Sequence, residues 1–182
     1  SIYDDADQQR IMRDILKDEG IDPKRLTPRA VLGRISTAKN ELLSPQDMAE
    51  GAADDADEGI ARLYARYQDR LLANQAMDFD DLLMVTVQML RRDDRVRERW
   101  QRRFRYVLVD EYQDTNHAQY WLVRVLAEPE RNVTVVGDDD QGIYSWRGAD
   151  IRNILEFKAD YPDAVTIALE QNYRSTAMIL SA

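Results

Sequence analysis

Two short apolar runs, each releasing carboxylates at its C-terminal end, constrain this chain more than any other feature. Residues 106–116 read YVLVDEYQDTN and residues 133–150 read VTVVGDDDQGIYSWRGAD. Runs this short, rich in β-branched residues and bounded by turn formers, predict buried strands over 106–110 and 133–137. A third run, VTIAL at 165–169, predicts another strand. Helical patterns fill the gaps, at 117–127 and at 150–160, the latter ending before Pro162. Strands alternating with helices predict an α/β fold with a parallel sheet. Such sheets bind ligands beyond the C-terminal ends of their strands. Asp110 and Glu111 fall at that edge, where one acid can hold Mg²⁺ near phosphates and the other can orient an attacking water.

The first part of the chain has a different period. Residues 7–19 place Ile11, Met12, Ile15 and Leu16 on one helical face, and Gly20 supplies a stop. Thr27 followed by Pro28 predicts a capped helix start, with Val31, Leu32, Ile35 and Ala38 as its apolar stripe. Ser44-Pro45-Gln46-Asp47 predicts another start, and the small polar stretch 51–59 predicts a loop. Ile60, Leu63, Tyr64, Tyr67 and Leu71 return to helical spacing, and residues 80–91 continue as helix with Leu82, Leu83, Met89 and Leu90 as core.

Composition bounds the class. Of 182 residues, 44% are apolar and 32% charged, which fits a globular chain with a real core. No apolar run approaches the length of a membrane span. Zero cysteines exclude disulfides and thiolate metal sites, a composition compatible with the cytoplasm. Tyr3, Asp4, Asp5 and Asp7 stand where a signal peptide would have a basic start, so none is expected. Ser1 rather than Met opens the chain, so position 1 is not expected to be a natural start. The net charge of −9 is unevenly placed. Residues 44–59 hold six acids and no base, whereas residues 91–105 hold eight arginines against three acids. Charge runs of this kind are first read as solvated faces.

Each site residue also has a plainer reading on its own. Asp110 and Glu111 could be turn residues, Asp138, Asp139 and Asp140 a metal cluster, Tyr144 and Trp146 core aromatics anchoring a turn, and Arg174 a surface arginine. The combination argues otherwise. DEYQDTN, VGDDDQ, QGIYSWRGAD and LEQNYRS, joined by KNELLSP near residue 40 and MDFDDLL near residue 78, strongly resemble the UvrD/PcrA/Rep group of superfamily 1 DNA helicases. The resemblance spans essentially the whole chain.

That resemblance implies ATP and Mg²⁺ as cofactors and single-stranded and duplex-junction DNA as partner. It implies no membrane, a cytoplasmic location, and repair or replication proteins as further partners. By it, Asp110 contacts Mg²⁺, Glu111 is the catalytic base, Gln113 joins the nucleotide contacts, and Gln141 senses the γ-phosphate. Arg147 links the DNA track to the phosphate site, Tyr173 stacks on adenine, and Arg174 contacts the γ-phosphate. Tyr144 and Trp146 stack on bases, giving grip without sequence readout. The triplet at 138–140 becomes a loop between the two sites, Ser175 a helix N-cap, and His117 a residue without a chemical role. Gly142 departs from the pattern, since many relatives carry Ser there, and is expected to soften the loop slightly.

The implied organisation is a helical domain 1B over residues 1–75, followed over 76–182 by the C-terminal part of RecA-like domain 1A, a P-loop NTPase type of sheet left incomplete. No G-x-x-x-x-G-K-[ST] occurs in the sequence, so the isolated chain is expected to be inactive. The absent P-loop strand would lie between 133–137 and 165–169, with 106–110 outside 133–137. Three outcomes are then expected for 165–169: direct pairing with 133–137, exchange with a second copy, or poor docking of residues 165–182. The function implied is that of a 3′-to-5′ helicase in repair or replication. A helicase-derived binding module without activity, and the motor of a RecB/AddA-like repair nuclease, stand as alternatives.

Overall fold

The computed structural model describes residues 1–128, 130–142 and 148–180. Its first layer is helical. Helices α1 (Asp5–Asp18), α2 (Pro28–Asn40) and α4 (Asp55–Ala73) enclose a core of Ile11, Met12, Ile15 and Leu16, Val31, Ile35 and Ala38, and Ile60, Leu63, Tyr64, Tyr67 and Leu71. Local signals set the boundaries. Asp4 caps α1, Gly20 takes the left-handed conformation (φ 67°) just beyond it, and Thr27 accepts from the Ala30 N–H ahead of Pro28. Between them, α3 (Pro45–Glu50) starts with a reciprocal capping box of Ser44 and Asp47.

The stretch 51–59 is a loop only as far as Asp54. That residue accepts from the N–H groups of Ala56 and Asp57, and Asp55, Asp57 and Glu58 fill the first turn of α4. Carboxylates there oppose the positive end of the helix dipole, so an acidic run that reads as loop is built into a helix start.

Helix α5 (Phe79–Arg92) buries Asp81, Met84, Val87 and Leu90, while Leu82 and Met89 are exposed and Leu83 is half-buried. The rotation differs from the apolar pattern because the helix start is pinned from outside: Asp78 and Asp81 both pair with buried Lys39 of α2. The arginine run then forms α6 (Asp94–Arg103), which buries no residue and pairs Arg97 with Asp94 and Arg102 with Glu98.

The second layer holds a two-stranded parallel sheet. β1 (Val107–Val109) pairs with β2 (Val133–Val135) in the register Val107 with Val133, Leu108 with Thr134 and Val109 with Val135. α7 (His117–Ala127) connects them. The fold is therefore mostly helical with a small parallel sheet, an α/β arrangement whose strands are shorter than the apolar runs. The helix expected over 150–160 breaks at Glu156 into α8 (Arg152–Leu155) and α9 (Phe157–Asp160). α10 (Ala177–Leu180) begins one residue too late for Ser175 to be its N-cap.

Residues 165–169 form no strand. Val165, Ile167 and Leu169 are 86%, 78% and 83% exposed. A single extended segment cannot pair its own backbone, and no described strand lies beside this one to do so. Of the three outcomes expected for this run, the structure takes the poorly docked one. Hydrogen exchange is expected to find slow amides in β1 and β2 and fast ones at 165–169. Protection at 165–169 equal to that of β1 would overturn this placement.

Candidate functional site

Both strands end in the same small region. Past β1 the ladder continues, with Val136 N–H donating to Val109 O at 2.8 Å and Tyr112 N–H to Val136 O at 3.0 Å. Glu111 lies between these contacts in a left-handed conformation, φ 51° and ψ 43°. That conformation costs a non-glycine residue about 1–2 kcal/mol and turns the chain abruptly into a 3₁₀ turn at Tyr112–Asp114. Asp110 Oδ1 accepts from the Glu111 N–H at 2.9 Å and steadies the turn.

Gln113 joins the two strand ends. It is 1% exposed. Its Nε2 donates to Glu111 Oε2 at 2.7 Å, and its Oε1 accepts from the Asp138 N–H at 3.0 Å. The Asp138 carboxylate in turn accepts from Asp140 N–H at 3.1 Å and from Gln141 Nε2 at 2.6 Å. An unbroken hydrogen-bonded chain thus runs from Glu111 through Gln113 and Asp138 to Gln141. Gly137 makes room for it. A Cβ there would lie 2.5 Å from Gln113 Oε1 and 2.7 Å from Ile154 Cδ1, so a side chain would push Gln113 off its partners. Gly142 also answers to space rather than softness, because a Cβ there would lie 2.5 Å from Ile151 Cδ1.

Of the expected site residues, Asp110, Glu111, Gln113 and Gln141 are brought together. Tyr173, 90% exposed, and Arg174 lie beyond the unpaired 165–169 segment and make no side-chain hydrogen bond to the strand-end carboxylates. There the Asn172 Oδ1 accepts from the N–H groups of Arg174 and Ser175. Tyr144, Trp146 and Arg147 lie outside the described residues. Asp138 caps a 3₁₀ turn at Asp139–Gln141, and among the described residues no group of three or more His, Cys, Asp or Glu side chains is arranged to hold a metal. The donor set fits a different kind of site. Asp110 is exposed, with one oxygen engaged by a backbone N–H and the other without a hydrogen-bond partner among the described residues. One free carboxylate oxygen suits Mg²⁺, which typically completes its shell with phosphate oxygens and water.

A support layer lies behind these loops. Thr115 O accepts from Asp150 N–H and from Asn153 Nδ2, each at 3.0 Å. The side chain of Arg152 grips Asp150 and holds its carboxyl below the usual range. Asn116 caps α7 in a reciprocal box with Gln119. His117 accepts from the Trp121 indole N–H at 2.9 Å, a packing role. Deeper still, Lys39 Nζ lies 2.6 Å from Asp78 Oδ2 and 2.8 Å from Asp81 Oδ1, and Tyr67 OH donates to Asp78 at 3.0 Å. Burial, then the Asp78 charge, holds the Tyr67 phenol far above its ordinary range. Burial likewise raises the Asp80 carboxyl. The motifs KNELLSP and MDFDDLL thus meet in a buried ion cluster that the sequence did not disclose. The Asn116–Gln119 box was not read from the sequence, although its N-x-x-Q spacing is the signal that could have found it.

The comparisons with known proteins agree with this architecture. Residues 1–162 match the family model described as UvrD/REP helicase N-terminal domain. Over all 182 residues the chain is 54% identical to an ATP-dependent DNA helicase PcrA of Bacillus subtilis (strain 168). It is 52% identical to the proteins of that name in Staphylococcus aureus (strain Mu50 / ATCC 700699) and Staphylococcus epidermidis (strain ATCC 35984). Each match covers 100% of this chain and 25% of the relative, so the chain spans about a quarter of the length of these relatives. With nearly nine-tenths of its length inside one family model, the chain belongs to the UvrD/REP helicase N-terminal domain family.

Proposed function

We propose that this chain supplies the hydrolytic carboxylates of the ATP site, and part of the single-strand track, of an ATP-dependent DNA helicase moving 3′ to 5′. The observation that carries the proposal is the chain Glu111–Gln113–Asp138–Gln141, which ties two strand ends into one polar edge. In this reading Glu111 orients the attacking water and accepts its proton. Buried Gln113 fixes the Glu111 carboxylate, and Gln141 offers its amide to the transferring phosphate. Asp110 would hold Mg²⁺, which neutralises charge on the phosphates when bound. Arg174 and Tyr173 would approach only once the 165–169 segment is docked. Residues 1–75 are assigned to a domain 1B-like unit and 76–182 to part of a RecA-like domain 1A. The helical core at 11–76 and the parallel β1–β2 pair support that division. A cytoplasmic location and repair or replication partners belong to the same proposal. Among the described residues, no helix is long and apolar enough to cross a membrane.

The test uses a full-length protein that carries this chain. Its ATP turnover should rise with single-stranded DNA, and it should unwind duplexes with 3′ tails. Tyr144→Ala with Trp146→Ala should weaken single-strand binding by about 1–3 kcal/mol per stacked base, with DNA-free turnover less affected. Turnover indifferent to DNA, or unwinding confined to 5′-tailed substrates, would overturn the reading.

A further inference from the structure

Glu111 keeps its left-handed backbone, φ 51°, on an exposed turn. Strained conformations persist where the surroundings over-determine them, so the determinant has to come from the neighbours. Asp110 gives one bond, to the Glu111 N–H. The other neighbour, Tyr112, is 1% exposed, and its ring meets Phe157 edge to face, with centroids 5.7 Å apart and planes at 84°. Phe157 opens α9 just past Glu156 and stacks on Tyr161 at 4.7 Å. Aromatic pairs of this kind have a preferred geometry, so Phe157 fixes Tyr112 in direction as well as depth.

Burial does not hold α9 in that place, for none of its residues is fully buried. A polar clip to α7 does. Asp160, the last residue of α9, accepts from Tyr120 OH at 2.7 Å. Arg124 donates to the same hydroxyl at 2.7 Å and to Asp160 Oδ1 at 3.3 Å. Arg131 adds a bond to the Asp160 carbonyl oxygen at 3.2 Å. Because α7 leaves the Glu111 turn at its cap Asn116, the clip closes a ring. It runs from Tyr112 along α7 to Tyr120, across to Asp160, and back through Phe157 to Tyr112.

We propose that Asp160 is a positioning residue for ATP hydrolysis, clipping α9 to α7 so that Phe157 seats Tyr112 and Glu111 stays in its left-handed conformation. This role rests on the function proposed above, in which Glu111 is the base. Asp160 touches no reacting atom and acts through Phe157 and Tyr112. The clip is partly open to water, with Arg124 38% and Asp160 25% exposed. Its loss is small against the whole fold but comparable with the strain held at Glu111. Breaking it therefore releases the catalytic backbone without unfolding the chain. Base catalysis is sensitive to such release, since a misplacement on the order of 1 Å can cost about 10²-fold in rate.

The experiment uses a full-length protein carrying this chain, assayed for ATP turnover without DNA. Asp160→Ala should lower kcat by about tenfold, leave KM for ATP within about twofold, and keep the melting temperature well above the assay temperature. Asp160→Asn keeps an acceptor for the Tyr120 hydroxyl and should recover most of the lost rate. Tyr120→Phe deletes one hydroxyl and carries the same test if Asp160→Ala does not fold. In a Glu111→Gln background the Asp160 substitution should lower the residual turnover no further, because both changes act through one carboxylate. Unchanged kcat in the folded clip variant overturns the role. An equal loss in both backgrounds also overturns it, leaving a structural contact. Near-normal turnover in Glu111→Gln alone would instead overturn the proposed base, and this role with it, a result read before any clip variant is made.

Discussion

Glu111→Gln in a full-length protein carrying this chain should lower ATP turnover by about 10²–10⁴-fold, the range for loss of a positioned general base. Nucleotide binding should survive. The replacement is isosteric, and its amide oxygen can still accept from Gln113 Nε2, which now bonds Glu111 Oε2 at 2.7 Å. What disappears is the capacity to take a proton from water. Asp110→Asn should behave differently, shifting the Mg²⁺ concentration needed for nucleotide binding, because its carboxylate directly follows β1 and keeps one oxygen without a hydrogen-bond partner among the described residues. Steady-state turnover measured beside fluorescent-nucleotide titration separates the two. Near-normal turnover in Glu111→Gln would remove Glu111 from the base role, whatever the behaviour of Asp110.

The second large effect is on stability. Asp78→Ala should destabilise the chain by about 3–5 kcal/mol, the usual consequence of breaking a buried ion pair from one side. Lys39 is 0% exposed and Asp78 2%. Removing Asp78 leaves Lys39 with Asp81 alone, strips the acceptor from Tyr67 OH, and deletes the cap that receives the Asp81 N–H at 2.8 Å. Lys39→Met should be similarly harmful, since it leaves two carboxylates facing each other out of water. Urea unfolding followed by circular dichroism reads both. A loss under about 1 kcal/mol, typical of an exposed pair, would mean that water reaches the cluster.

Local rules explain what the sequence made legible. The stripes of α1, α2 and α4 follow helical period, and the starts read at Thr27 for α2 and Ser44 for α3 are residues whose side chains bond the first free N–H groups. The β-branched runs ahead of Asp110 and Gly137 marked both paired strands, and the carboxylates after them fell at the sheet edge as expected. Long-range partners explain the rest. The buried face of α5 was misjudged because its rotation depends on Lys39, 39 residues away from Asp78. The strand at 165–169 has the right residues but lacks a neighbour, and strand formation is a property of pairs. Arg174 and Tyr173, carried beyond that segment, were therefore not delivered to the site. Gln113, expected among the nucleotide contacts, is buried and hydrogen-bonds Glu111 and Asp138, long-range geometry that a local pattern does not show.

The acidic start of α4 changes what the net charge of −9 means to a polyanion. There Asp54 is turned into its own helix and Asp57 bonds Arg34 at 2.7 Å, while in α3 Asp47 folds back on Ser44. Asp57 thus faces one cation, and Asp54 and Asp47 face N–H and O–H dipoles. Free charge further away is screened within roughly 8 Å at physiological ionic strength. A nucleic acid bound further than that from these acids would therefore respond chiefly to the cations it touches. The salt dependence of its binding would count phosphates neutralised rather than the formal charge of the chain.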